Sequence, residues 1–213
     1  LPERLPAELA DAPLSCSRLE TLKSRDGLFQ LGTLGRGNHF VELQSDAEGR
    51  LWLMVHSGSR GIGQAITAEH VARAGKGRAG LPFFEATSPA GQAYLSDMEW
   101  ALKYAATSRF KMVNAVSMIL HELFAVSVDE ATLIHCHHNH VRREVHFGSE
   151  VWVHRKGALP ADENEAGVIP GSMGTRSYHV AGRGESSSLH SSSHGAGRSR
   201  ARHLAQQTVS RRD

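Results

Sequence analysis

At 213 residues, 40% apolar and 22% charged, with a mean hydropathy of −0.33, the chain has the length and apolar content to bury a sizeable core. A formal net charge of +2, with 14 histidines counted neutral, excludes a strongly basic or acidic body. No apolar run nears the ~20 residues that span a bilayer, and no signal-peptide layout is present. The only cysteines, Cys16 and Cys136, make neither a disulfide framework nor a CxxC zinc motif, so the expected setting is a reducing cytoplasm.

Residues 1–30 read as a charged, proline-containing lead-in with a short helix around Ser17–Lys23. In "LGTLGRGNHFVELQSDAEGRLWLMVHSGSRGIG" the β-rich segments Phe40–Gln44 and Leu51–Val55 flank turn residues Ser45–Gly49, which predicts a hairpin. His39 and His56 are equidistant from the centre of that turn. A symmetric register would stand them opposite each other with Cβ atoms about 5 Å apart, close enough to serve one metal centre or two adjacent ones. Ser88-Pro89 supplies an N-cap and first-turn pair for a helix reaching Ala125. Its expected core stripe is Leu95, Met98, Leu102, Ala105, Met112, Val116, Ile119 and Leu123, interrupted by Arg109.

The β signal returns after Ala131, with Val151-Trp152-Val153 alternating into "HRKGALP". "VIPGSMGTRSYHVAGRG" reads as a glycine-rich loop and a short strand, and "ESSSLHSSSHGAGR" has the composition of a flexible linker. "GRSRARHLAQQTVSRRD" carries five arginines and a histidine against one aspartate. Such a run attracts phosphates, although charge alone favours a solvated helix face or tail.

Chemistry concentrates in the histidines. "LIHCHHNHVRREVHFG" packs four histidines and a cysteine into His135–His140. On an extended strand Cys136, His138 and His140 would share one face, and His135 and His137 the other. One ligand from this run, joined by His39 and His56, makes a three-imidazole set suited to a catalytic Zn, Mn, Co or Fe ion. His194 precedes a Gly-Ala-Gly bend, with Arg198 leading into a helix. A neutral imidazole there can approach a phosphate and attack phosphorus, with helix-start N–H groups holding the oxygens. "GTLGRG" and "GSRGIG" are neither dinucleotide nor P-loop motifs, and each alone is a tight turn.

Taken in order, "LGTLGRGNHFVEL", "HSGSRGIG", "CHHNHVRREVHFG", "RKGA", "IPGSMGTRSY" and "SSSHGAGR" resemble the RtcB-type RNA-splicing ligase family over residues 31 to 198. The resemblance implies an α+β, RtcB-like domain, with antiparallel strands carrying the site at their ends and a long helical excursion packed outside. The whole chain, 1–213, is then one incomplete catalytic domain: lead-in 1–30, motif-bearing core 31–198 and basic helix or tail 199–213. The implied activity is a GTP- and Mn²⁺-dependent ligase with two manganese ions per site. It joins an RNA 3′-phosphate or 2′,3′-cyclic phosphate to a 5′-hydroxyl through a histidine–GMP intermediate. Carried over by motif, His194 is the guanylylated nucleophile and His39, His56 and His138 are metal ligands. Asn38, Glu42, Asn139, Ser172, Ser177, Ala196 and Gly197 line the GMP pocket, and Arg60 and Arg198 contact phosphate.

The sequence departs from the family in having no upstream D-x-x-C motif, since Cys16 stands in "PLSCSRL". The expectation is therefore a central piece of a longer RtcB-type protein. The competing readings are a metal-dependent hydrolase built on the three histidines, and an RNA-binding remnant without chemistry. His135, His137 and His140 have no assigned role and read as polar side chains of ordinary function.

Overall fold

The computed structural model describes residues 4–77, 80–172, 174–195 and 197. The chain divides into two compact units, residues 1–130 and 131–213. The architecture is α+β: helices with short hairpins in the first unit, antiparallel strand pairs in the second.

The first unit runs α1 (Ala7–Ala10), α2 (Ser17–Leu22), a π turn (Lys23–Gly27) into α3 (Leu28–Gln30), β1 (Phe40–Ser45), β2 (Leu51–His56) and α4 (Arg60–Arg73). It continues through β3 (Gly75–Lys76) and β4 (Pro82–Phe83) to α5 (Pro89–Phe124). The long helix begins where the sequence predicts, with Ser88 Oγ accepting from Gly91 N at 3.1 Å and Pro89 in the first turn. It ends at Ala125, whose left-handed backbone returns its N–H to the His121 carbonyl.

The core of this unit sets Trp100, Ala101 and Tyr104 of α5 against Leu9, Leu14, Leu19, Leu31, Ile62 and Ile66. Two expectations change here. The segment read as a lead-in supplies three of those leucines, Leu9, Leu14 and Leu19, and α5 is the spine of the core, not an excursion packed outside it. The helix is also turned from the expected stripe: Asp97, Trp100, Ala101, Tyr104, Ala105, Ser108 and Met112 are buried. Ala105 and Met112 belong to both sets, whereas Ile119 and Leu123 are exposed. Apolar spacing misses the reason, which is that polar groups with partners can take core positions. Trp100 Nε1 donates to the Leu9 carbonyl at 3.0 Å, Tyr104 Oη donates to the Gly27 carbonyl at 2.6 Å, and Ser108 Oγ accepts from Gly32 N at 3.0 Å. Asp97, fully buried, accepts from Ser15 N, Ser15 Oγ and His70 Nε2 at 2.8, 2.6 and 2.7 Å.

The second unit opens with the hairpin of β5 (Asn139–His146) and β6 (Ser149–Lys156), closed by Phe147-Gly148, both left-handed. Then come β7 (Ala158–Pro160), β8 (Ala166–Ile169), β9 (Tyr178–Ala181) and β10 (Ser191–Ser193). β7 pairs with β10 and β8 with β9, both antiparallel. The serine-rich stretch is therefore no linker: it forms a 3₁₀ turn (Ser186–Ser188) and the strand β10. The histidine run is only partly strand. β6 ends at Lys156, opposite Asn139, and Gly157 turns left-handed at φ 72°, so the β5–β6 ladder begins at Asn139 and takes in only the last two residues of the run.

Candidate functional site

The sequence-nominated residues fall in both units: Asn38, His39, Glu42, His56 and Arg60 in the first, and His138, Asn139, Ser172, Ser177, His194 and Gly197 in the second. Ala196 and Arg198 lie outside the described residues, as does the basic segment that follows.

In the first unit the β1–β2 register pairs His56 with Phe40, so His39 stands one residue beyond the expected partner. Asp46 causes the offset. Its carboxylate accepts from Glu48 N at 3.0 Å, Arg50 N at 2.9 Å, Arg50 Nε at 2.7 Å and Trp52 Nε1 at 2.9 Å. Those bonds gather residues 46–50 into the loop and set Ser45 opposite Leu51. His39 and His56 still come together, with ring centroids 6.1 Å apart. The Leu34 carbonyl accepts from His39 Nδ1 at 2.9 Å and from Ser57 Oγ at 3.0 Å, which ties the glycine-rich loop to the end of β2. Because Nδ1 carries that proton, Nε2 of His39 holds the lone pair a metal would need. Burial holds the His39 pKa below its ordinary value; the hydrogen bond to the Leu34 carbonyl opposes this, and the Arg60 charge adds to it.

Arg60, left-handed at φ 58°, opens α4 and donates from Nε to Thr33 Oγ1 at 3.3 Å. Its guanidinium crosses the backbone of Gly35 so closely that a Cβ there would stand 1.5 Å from Nη1. "GTLGRG" thus makes room for an arginine beside His39. Glu42 is exposed on β1, bonded by Gln44 Nε2. Arg109, which interrupts the predicted stripe of α5, donates to the Ser57 carbonyl at 2.8 Å and braces the segment after His56.

In the second unit His138 and His194 lie together, ring centroids 4.5 Å apart and 31° from parallel. Gly157 organises the pair. Its carbonyl accepts from His194 Nδ1 at 2.5 Å, and its N–H donates to the His138 carbonyl at 2.6 Å and to Asn139 Oδ1 at 2.9 Å. A Cβ on Gly157 would stand 3.1 Å from His194 Cε1. The position therefore favours glycine both for its backbone angle and for the approach of the imidazole. Ser172 and Ser177 shape the adjoining loop: Ser177 Oγ accepts from Gly171 N at 3.0 Å, and Ser172 Oγ lies 3.0 Å from Thr175 Oγ1. Gly197 is left-handed at φ 75°.

Within either unit, the described residues gather no group of three or more His, Cys, Asp or Glu side chains fit to hold a metal ion. Each brings a pair of imidazoles. The residues that sequence reasoning missed are Gly157, which lay in the quoted "RKGA" motif, and the backbone carbonyl of Leu34, which no side-chain pattern reveals.

Comparison with known proteins adds a decisive observation: the model of the family described as "tRNA-splicing ligase RtcB" matches residues 11–213. The chain belongs to the RtcB family. The match takes in most of the lead-in and the whole basic tail, so the family pattern reaches beyond residues 31–198. Among RtcB relatives, the RNA-splicing ligase RtcB of Escherichia coli K12 is 40% identical over 197 residues, covering 86% of this chain and 48% of the relative. That of Mycobacterium tuberculosis is 36% identical over 219 residues, covering 84% and 50%. The tRNA-splicing ligase RtcB of Pyrobaculum aerophilum is 32% identical over 251 residues, covering 95% and 51%. The chain thus spans about half the length of these RtcB proteins. No helix among its described residues is long and apolar enough to cross a membrane.

Proposed function

We propose that this chain carries the nucleotidyl-transfer centre of an RtcB-type RNA ligase, using GTP and manganese to join RNA 3′-phosphate or 2′,3′-cyclic phosphate ends to 5′-hydroxyl ends in the cytoplasm. The observation that carries the reading is the hydrogen bond from His194 Nδ1 to the Gly157 carbonyl. It leaves the lone pair on Nε2, the form in which an imidazole is a nucleophile toward phosphorus. As Nε2 forms a bond to the α-phosphorus of GTP, pyrophosphate leaves and positive charge develops on the ring. The Gly157 carbonyl dipole, already aligned with Nδ1–H, stabilises that charge. A 2′,3′-cyclic end is first opened by water, the P–O2′ bond breaking to leave a 2′-hydroxyl and a 3′-phosphate. The GMP then passes to the RNA 3′-phosphate, restoring His194, and the 5′-hydroxyl displaces GMP to form the phosphodiester.

In this reading the imidazoles would serve as metal ligands: the Leu34 carbonyl engages Nδ1–H of His39 and leaves its Nε2 available, His56 lies beside it, and His138 adjoins His194. Manganese bound to these rings would neutralise phosphate charge and favour departure of pyrophosphate. Asn38, Glu42, Asn139, Ser172, Ser177, Ala196 and Gly197 are the residues assigned to GMP binding in this reading. The same reading has strand ends carrying the site, and it draws support from His138 standing just before β5 and His194 just after β10.

Intact-protein mass after incubation with GTP and Mn²⁺ tests the proposal. A GMP adduct on the wild type and none on His194→Ala is expected. No adduct on this chain, or one that persists in His194→Ala, overturns the assignment. Salt-sensitive RNA binding without labelling would then identify an RNA-binding remnant, and metal-dependent hydrolysis indifferent to His194→Ala a hydrolase.

A further inference from the structure

Arg155 is almost fully buried, 3% exposed, on β6 two residues before Gly157. Burying a guanidinium is costly unless its donors are engaged, and here they are. Both terminal nitrogens bind Glu144 of β5, with Nη2–Oε2 at 2.9 Å. The remaining capacity goes to one short segment. Nε donates to Ser191 Oγ at 2.9 Å, and Nη2 donates to the carbonyls of Leu189 at 2.8 Å and His190 at 3.2 Å.

That segment is strained. Leu189 and His190 are consecutive non-glycine residues in the left-handed region, at φ 51° and 47°. Such a pair persists only where its surroundings over-determine it. It leads directly into β10, whose Ser193 pairs with Ala158, and then into His194. His146 Nε2 donates to Glu144 at 2.8 Å, so the carboxylate is itself fixed. Burial alone would push the Glu144 carboxyl up, but hydrogen bonds from Arg155 and His146 outweigh it and hold it at about 2.

We infer that Arg155, locked by Glu144, is the positioning residue for His194. It grips the backbone that delivers the imidazole, and it stands on the strand that supplies its acceptor, Gly157. Both ends of the Nδ1–H···O bond are thereby referred to one rigid guanidinium. The planar fork, able to reach Glu144 and Leu189–Ser191 together, is what lysine cannot reproduce. The inference rests on the proposed role of His194 for its functional meaning, but not for its structural content.

The test uses the full chain, labelled with ¹⁵N, with His194 assigned by its loss in His194→Ala. Long-range ¹H–¹⁵N correlation spectra report which ring nitrogen carries the proton. The wild type is expected to show the Nδ1–H form. Arg155→Lys is expected to lose it to a mixture of tautomers and to slow GMP-adduct formation about 100-fold at unchanged KM for GTP. Glu144→Gln, which keeps an acceptor for Arg155, should fall between. Val153→Ala, a buried change on the same strand that leaves Arg155 and its partners in place, is the control and should keep the Nδ1–H signature. If Arg155→Lys does not fold, Glu144→Gln decides alone. Retention of the wild-type tautomer in the folded Arg155 and Glu144 variants, or its equal loss in Val153→Ala, overturns the inference. If no adduct forms even on the wild type, the function proposed for His194 fails while the tautomer comparison still decides the positioning.

Discussion

Replacing Gly157 by alanine separates the backbone contribution of this residue from its contribution to the placement of His194, the proposed nucleophile. At φ 72° the alanine must adopt a left-handed conformation, which costs roughly 1–2 kcal/mol. For a chain of this size that lowers Tm by about 2–8 °C. The added methyl carbon would also stand 3.1 Å from His194 Cε1 and 3.3 Å from Nδ1, so the ring must move by a few tenths of an ångström and its bond to the Gly157 carbonyl lengthens. Losing a neutral hydrogen bond of about 1 kcal/mol slows attack roughly fivefold, and misalignment of the nucleophile extends this to about 10- to 100-fold. Gly148→Ala is the matched control: its φ is 76°, yet its Cβ would meet nothing within 4 Å. Both variants should therefore show similar losses of Tm by circular dichroism, while only Gly157→Ala should slow the adduct measured by mass spectrometry. Equal adduct rates in the two variants would refute the claim that Gly157 sets His194.

Further outcomes follow from the same geometry. Asp97→Ala strands the buried His70 and Ser15 donors and should destabilise the first unit by about 3–5 kcal/mol in urea unfolding, with Asp97→Asn milder because it retains one acceptor. His140, 3% exposed, has its pKa pushed down to about 4, first by burial and then by the charges of Arg142 and Arg155. The unfolded chain takes up that proton near 6.5, so stability is full above pH 6.5 and falls as pH drops toward 4. The loss is about 2–3 kcal/mol by pH 4.5, and His140→Leu should flatten that part of the pH–stability curve. His39→Ala and His56→Ala should each weaken Mn²⁺ retention measured by titration calorimetry or electron paramagnetic resonance, whereas His135→Ala should not.

The local elements were legible because their signals are local. Ser88-Pro89 starts α5 through a cap that needs only the next few residues, and Val151-Trp152-Val153 lies in β6. The motif series from "LGTLGRG" to "SSSHGAGR" was likewise enough to point to the RtcB family, because motif order is a property of the chain alone. The register of β1–β2 was not legible, since Asp46 chose it through bonds to a backbone not yet folded. Nor was the buried face of α5, where Asp97 and Ser108 occupy core positions that apolar spacing assigns to other residues.

Sequence by itself determined the family, the ends of α2, α5 and the β1–β2 hairpin to within a residue or two, and the identities of the histidines that carry the proposed chemistry, but not α4, whose start in "GSRGIG" reads as a tight turn. Only the tertiary structure decided that Leu34 orients His39, that Gly157 orients His194, and that Arg155 binds the carbonyls of the strained Leu189 and His190 ahead of β10. The physical reason is common to these cases. Each is a hydrogen bond involving a backbone carbonyl, and a carbonyl is the same group in every residue, so nothing in the order of side chains reveals where it will point until the chain has packed.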